Sequence, residues 1–434
     1  MPSGELSEDQ DQARPTGTGG GSPSLWSNPA YRIFLGVQTL SALGDSFSYV
    51  ALPLLVLHTT GSVLQMGLVT GLTGVASILT GLFAGVIADR FDRRRLLMLA
   101  DGARCLLYLV IPLAWIFASP LWLIYTVVPI AGCFSMLFQV TYVTVVPAIV
   151  QPDQITKANG HLYATYAVAS VAGPALAGFV ASSAGPAAAI GIDSATFAVS
   201  ALGVLLVKFD GRPRRSDTPQ HGSIRGEFLA GAKFLWAHPV LRPLTLLLSL
   251  ITFLIYGLTD LVIYLVKDEL GHPDTTVGWV LTAGTVGSFI ASAAVARVRK
   301  RLGFGVAWIS AFSLAGFAVA GIGLSGSVPV IAVLMTVTLM CTGIAGISSM
   351  SLRQEVTPSH LLGRVTSSFW TIHTALGPIG AAITTAAAAG AGVTTVCLVI
   401  GVIVLAIALT GTLTGITRPQ AGPHAADRPA GEVA

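Results

Sequence analysis

Five ionisable residues stand alone inside long apolar stretches: Asp45 in LGDSFSY, Asp101 and Arg104 in LADGARC, Asp193 in IGIDSAT and Asp260 in YGLTDLVIY. Charge stripped of water is expensive, so each is a functional candidate by default. The chemistry open to an isolated carboxyl is proton exchange, taking a proton from one side and yielding it to another. Asp45, midway along its run, is the first such candidate; the alternative is a structural carboxylate accepting hydrogen bonds from a neighbouring helix. Asp260 is the second, and the choices there are a proton, a cationic substrate or a solvated position at an outer mouth. Asp101 and Arg104 lie three apart on one helical face and can pair, which reads as an inner charge pair. Asp193 opens its run, where a helix N-terminus favours a carboxylate and a structural role. His161 and His373 are weaker proton-site candidates, since a lone His is usually satisfied by a local partner.

The surrounding composition says what positions these groups. Hydrophobic residues make up 53% of the 434 and charged residues 10%, with mean hydropathy +0.76. A soluble globular chain carries about 25% charge, so this is a polytopic membrane protein. The net charge of +4 is not a nucleic-acid signal, because the arginines gather in loops. Cys105, Cys133, Cys341 and Cys397 are scattered singly, with no metal or redox spacing. No HExxH, GxSxG or phosphate-cradling loop appears, so the chain reads as neither an enzyme nor an ATP-driven pump, and no cofactor or metal is expected. Residues 1–30 are polar and rich in Gly, Ser and Pro, which reads as a disordered tail rather than a cleavable signal.

Apolar runs long enough to cross a bilayer fall near 33–57, 64–88, 96–118, 121–147, 161–183, 187–207, 241–266, 277–298, 304–325, 328–351, 367–389 and 391–414. The predicted fold is therefore an all-α membrane protein of twelve transmembrane helices in two six-helix halves, 31–208 and 241–414. Residues 209–240 form the linker and 415–434 a second disordered tail. The basic residues test this layout. With twelve crossings, 22 of the 24 Lys and Arg fall in the tails, the linker and the loops of a single face. By the positive-inside rule that face, with both termini, is cytoplasmic. In the linker, Ile224, Phe228, Leu235 and Trp236 follow helical spacing between charges. That pattern predicts an amphipathic helix at the membrane interface.

Three motifs sharpen this reading. The loop after the second span carries GVIADRFDRRR, with Gly85, Asp89, Arg90, Arg93 and Arg94 spaced G-x-x-x-D-R-x-x-R-R. Small Gly85 and Ala88 would let the helix approach its neighbours closely. In the fifth span, SVAGPALAGFVAS holds Gly173, Pro174 and Gly178, a bendable seam in which Pro removes a helix hydrogen bond. The chain also repeats itself at an offset of 211, pairing Gly67 with Gly278, Asp89 with Lys300 and Arg90 with Arg301.

The loop motif resembles the loop 2–3 signature of the major facilitator superfamily. The stretches 44–69, 190–202 and EFLAGAKFLWAHPVLRPL resemble the enterobactin-exporter and macrolide-efflux-like branch of bacterial facilitators. The fifth-span motif is similar to that of antiporters, although Ala177 replaces a glycine. The resemblance implies parallel pseudo-symmetric halves rocking about a midplane site. It implies a cavity lined from the first, fourth, seventh and tenth spans, with Tyr49, Gln139, Tyr142, Phe253, Tyr256, Met335 and Met340 as candidates. The Arg90 loop would act as a gate, though Lys300 puts any relay in the second copy in doubt. The expected protein is a multi-pass, monomeric exporter of the bacterial plasma membrane. Its partners would be the lipid bilayer, protons and a small amphiphilic molecule such as a drug, siderophore or secondary metabolite, and no nucleic acid. Uptake of a nutrient by the same fold, or a transport-dead sensor, are the alternatives.

Overall fold

A computed structural model describes residues 24–142, 145–207, 224–358 and 361–417. Both predicted disordered tails lie largely outside these residues, as does the first part of the linker. The described chain is helical, and its long helices are too apolar to be stable except in a bilayer. The first half comprises α1 (Pro29–Thr60), α2 (Val63–Arg90), α3 (Arg93–Phe117), α4 (Leu121–Tyr142), α5 (Ile155–Ala184) and α6 (Pro186–Leu206). After the linker helix α7 (Ile224–Ala237) come α8 (Leu241–Glu269), α9 (Asp274–Leu324) and α10 (Val328–Val356). The chain ends with α11 (Leu362–Ala391) and α12 (Val393–Thr410).

Among the described residues, eleven helices are long and apolar enough to span a membrane, one of them 51 residues long. At 1.5 Å per residue α9 would run about 76 Å, more than twice the ~30 Å of a hydrocarbon core. It is two crossings. Gly303, with φ 74° and ψ 168°, breaks it just beyond the Arg- and Lys-rich segment 297–301. Only Gly adopts that conformation without strain. Twelve crossings result, and the predicted spans near 277–298 and 304–325 are its two limbs. Of the fourth predicted span, α4 accounts for the residues to Tyr142, positions 143–144 lie outside the described residues, and a separate short helix, Val146–Ile149, takes up its end.

The turns divide by face. One face, called basic here, carries the arginine-rich loops. Arg94 there donates to the carbonyls of Val204 (3.2 Å) and Leu205 at the end of α6, a favourable cation at a helix C-terminus. Arg299 holds Glu355 through two hydrogen bonds, at 2.8 and 2.6 Å, linking α9 to α10. The opposite face turns tightly at Gly61, Gly185, Gly271 and Gly392, all with positive φ.

Within the first half α1 packs on α5 and α6, and α3 on α4 and α6; the halves meet where α5 meets α9 and α2 meets α11. These seams lie towards the opposite face. A side-chain carbon on Gly178 would sit 2.6 Å from the Asp274 carbonyl oxygen and 2.9 Å from Gly278 Cα. Only glycines permit that approach. Gly71 meets Pro378 in the same way on the other side. Gly85, on the basic face, makes no such contact: a carbon added there meets nothing within 4 Å. The close approach expected at Gly85 is absent, whereas Ala88, the other small residue of the motif, is buried in a cluster with Leu96 and Leu137.

Candidate functional site

The first half gathers four of the five buried-charge candidates into one cluster. Asp45 comes from α1, Asp101 and Arg104 from α3, and Asp193 from α6. One helical turn places Asp101 beneath Arg104, and Arg104 Nη2 donates to Asp101 Oδ1. Arg104 Nη1 reaches Asp45 Oδ1 at 3.5 Å. The guanidinium lies 4.6 Å from the Phe138 ring centre and 4.0 Å from that of Phe197, rings whose faces favour a cation. Asp193 accepts from the Ser48 hydroxyl and, at 3.3 Å, from Thr196. Gly44 makes this possible, since a side-chain carbon there would stand 2.6 Å from Asp193 Oδ1.

Three carboxyls thus surround one guanidinium, and they differ in access. Asp101 and Asp193 are fully buried, whereas the Asp45 side chain is 55% exposed. The Ser200 hydroxyl stands by the Asp101 carboxyl, whose Oδ2 has no partner at hydrogen-bond geometry among the described residues. Asp45 is therefore the cluster's opening, and it sits one turn from Tyr49 on the α1 surface facing the second half. Helical spacing alone pairs Asp101 with Arg104, but it leaves Asp193 as a helix-start residue and Asp45 as an isolated one. Asp193 lies two turns inside α6 rather than at its start. The available signal was charge balance, with three acids and one arginine at membrane depth in a single half.

Beside this cluster a cavity of about 340 Å³ opens between the halves. Its wall includes Ser48, Tyr49 and Leu52 of α1, with Met66, Val69 and Thr70 of α2. From the second half come Tyr256, Thr259 and Asp260 of α8, next to the break at Tyr256–Gly257 where the helix interrupts itself. Tyr49 and Thr259 hydroxyls meet at 3.0 Å across the halves. Asp260 is 3% exposed and its Oδ2 has no partner among the described residues. Thr70 approaches the carboxyl from α2.

The remaining candidates fall elsewhere. Tyr142 stacks with Phe34 and Phe138, and Met335 is buried against Gly284. Met340 packs on the second half's core. Gln139 is exposed, and the Phe253 backbone lies against Gly380. His161 stacks on Trp26 and meets the Tyr31 hydroxyl at 2.9 Å; His373 stacks on Phe369 near Thr252. Gly173 faces Ser46 of α1, while Gly178 faces α9. Arg93, Arg94 and Arg90 stand at the basic-face turn, and the Asp89 side chain lies outside the described residues.

One group had no sequence signal. At the opposite face Asp274 of α9 is reached by His58 of α1 at 3.1 Å and Lys267 of α8 at 2.6 Å. This triad ties the first half to the second where the glycine seams close.

Comparison with known proteins agrees with this architecture. The profile of the Major Facilitator Superfamily matches residues 34–382. The multidrug efflux pump Tap of Mycolicibacterium fortuitum is 24% identical over 358 residues, covering 81% of this chain and 87% of that protein. The enterobactin exporter EntS of Escherichia coli O6:K15:H31 is 25% identical over 401 residues, covering 88% and 92%. Among solved structures, a mutant of the nucleoside transporter NupG superposes with TM-score 0.73 at 12% identity, covering 88% of this chain and 99% of that one. A bacterial homologue of the iron transporter ferroportin, in an inward-facing state, gives 0.68 at 18% identity, covering 90% and 100%.

Proposed function

The chain belongs to the major facilitator superfamily, and from that premise we propose that it is a proton-coupled antiporter exporting a small amphiphilic molecule. Transport of small substrates across a membrane follows from the family; export, coupling and cargo are the proposal. The carrying observation is the cluster of Asp45, Asp101, Asp193 and Arg104. Its carboxyls outnumber its guanidinium by two, and the Asp45 side chain is 55% exposed, one turn from Tyr49 of the cavity wall. A low-dielectric interior does not hold that excess as bare charge. The cluster is a place to carry protons, with Asp45 as the exchange point.

Two further features support the reading. The arginine-rich face is assigned to the cytoplasm on charge grounds, and the Asp274 triad and glycine seams close the other side. The described conformation then has its opening towards the cytoplasm, where an exporter loads. Relatives named as exporters (Tap and EntS) favour the same direction. Rocking the halves would open the opposite face, and uptake of a proton at Asp45 would reset the cluster.

The test uses inside-out vesicles with an imposed pH gradient. Asp45→Asn keeps the shape and removes the titrating group, so gradient-driven accumulation should fall at least about tenfold with the protein still folded in the membrane. Undiminished accumulation by Asp45→Asn removes this residue from the mechanism. Accumulation only in vesicles of the reverse orientation identifies an importer.

A further inference from the structure

The structure assigns the inter-half cavity to an organic cation, with Asp260 as its counter-charge and Tyr49 and Tyr256 as its aromatic walls. This rests on the transport reading and names the substrate class of the same site.

Asp260 differs from the other carboxyls described at membrane depth and at the inter-half seam in standing away from any described cation. Asp45 and Asp101 share Arg104, and Asp274 holds His58 and Lys267. Asp193 accepts two hydroxyls beside that arginine cluster. Asp260 is 3% exposed and Thr70 approaches its carboxyl; among the described residues its Oδ2 has no partner, and none lining the cavity is basic. A carboxyl shut away without a cation is half of an ion pair, and a ligand's positive charge completes it. Tyr49 and Tyr256 flank it, both partly exposed to the space they line, where their ring faces favour a cation. The rest of the lining mixes apolar Leu52, Met66, Val69 and Val128 with uncharged hydroxyls such as those of Thr70 and Thr73. An anionic cargo would meet only like charge there, which is a basis for rejecting it. The ligand that fits has one cationic end and an apolar body.

A matched pair of probes isolates the charge. Methyltriphenylphosphonium and triphenylphosphine oxide have the same shape, one cationic and one neutral. At about twenty non-hydrogen atoms each, they suit a cavity at the small end of ligand sites. Equilibrium dialysis against the purified full chain in lipid nanodiscs, with no gradient, measures both. The wild type should bind the cation at least about tenfold more tightly than the oxide. Asp260→Asn should bring the two within about twofold, and Asp260→Glu should keep the preference. Equal binding of the two probes by the wild type, no binding of the cation, or a preference that survives Asp260→Asn overturns the assignment. Should Asp260→Asn not fold, the wild-type preference and Asp260→Glu still decide. Because no gradient is present, failure of proton coupling shows separately: cation binding with gradient-independent transport would sink the coupled-export reading and leave this one standing.

Discussion

Arg104 of the first half and Arg353 of the second are both sealed from solvent, and both lie over phenylalanine rings, 4.0 Å from Phe197 and 3.5 Å from Phe369. Their surroundings then diverge. Arg104 meets Asp45 and Asp101, with Asp193 close by. Arg353 has no acid in contact among the described residues, and its Nε and Nη1 lack hydrogen-bond partners there. Its neighbour on Phe369 is His373, which stacks on the same ring. The repeat has preserved the framework of crossings but not these arginines, since at the offset of 211 Arg104 falls on Ala315 and Arg353 on Tyr142. Among the described residues, acids gather around the buried arginine of the first half only. The same asymmetry shows in the loops, where Lys300 occupies the position related to Asp89. Under the proposed mechanism, two six-helix bodies of one fold are divided in labour: the first carries protons, and the second contributes Asp260 to the cavity.

That contrast is easiest to break at the arginines themselves. Arg104→Leu leaves two buried carboxyls, Asp101 and Asp193, beside an apolar side chain with Asp45 at their edge, and removal of one partner from such a site costs about 3–5 kcal/mol. Thermal unfolding in detergent should show a large loss, or no folded protein, with partial recovery when Asp101→Asn is added. An Arg104→Leu protein as stable as the wild type would mean that the acids do not depend on it.

A smaller effect tests whether the halves move against each other as units. Gly178→Leu places a side chain against Asp274 and Gly278 across the seam, without touching either arginine. Transport should fall about tenfold while the unfolding temperature changes little. Cysteine accessibility at the opposite face should rise, because the seam cannot close. Loss of folding instead would show the seam to be structural rather than a moving contact.

The smallest effect is expected at Arg353. Exchanging a buried guanidinium that meets no acid among the described residues for an apolar side chain of similar length is often neutral or stabilising. Arg353→Met should therefore lie within about 1 kcal/mol of the wild type, or above it. A loss comparable to that of Arg104→Leu would erase the distinction between the halves.

Much of this is legible in the sequence. Span number, the basic face and the division into halves follow from apolar run length and arginine placement, because a bilayer punishes any other arrangement. The Asp101–Arg104 pair is legible too, since three residues of helix fix its geometry. Which acids meet is not. Asp45 and Arg104 are 59 residues apart, and Ser48 and Asp193 are 145; only the packing of α1, α3 and α6 brings them together. Asp193 misleads for a plain reason: the sixth helix begins at Pro186, so a residue that looks terminal is two turns inside. The His58–Asp274–Lys267 triad escapes notice because loop charges near a membrane surface have many solvated alternatives. Met335 and Tyr142, chosen by type and span, pack inside their own halves, because helical phase rather than span membership decides which residues face the cavity.

The assignment of proton handling to the first half is tested most directly by following protons. Purified protein in liposomes containing a pH-sensitive dye would be given a substrate gradient, and the substrate-dependent proton flux recorded. Wild type and Arg353→Met should both move protons against substrate, and Asp45→Asn should move substrate poorly and protons not at all. Proton flux that persists in Asp45→Asn, or that vanishes in a folded Arg353→Met, would contradict the account.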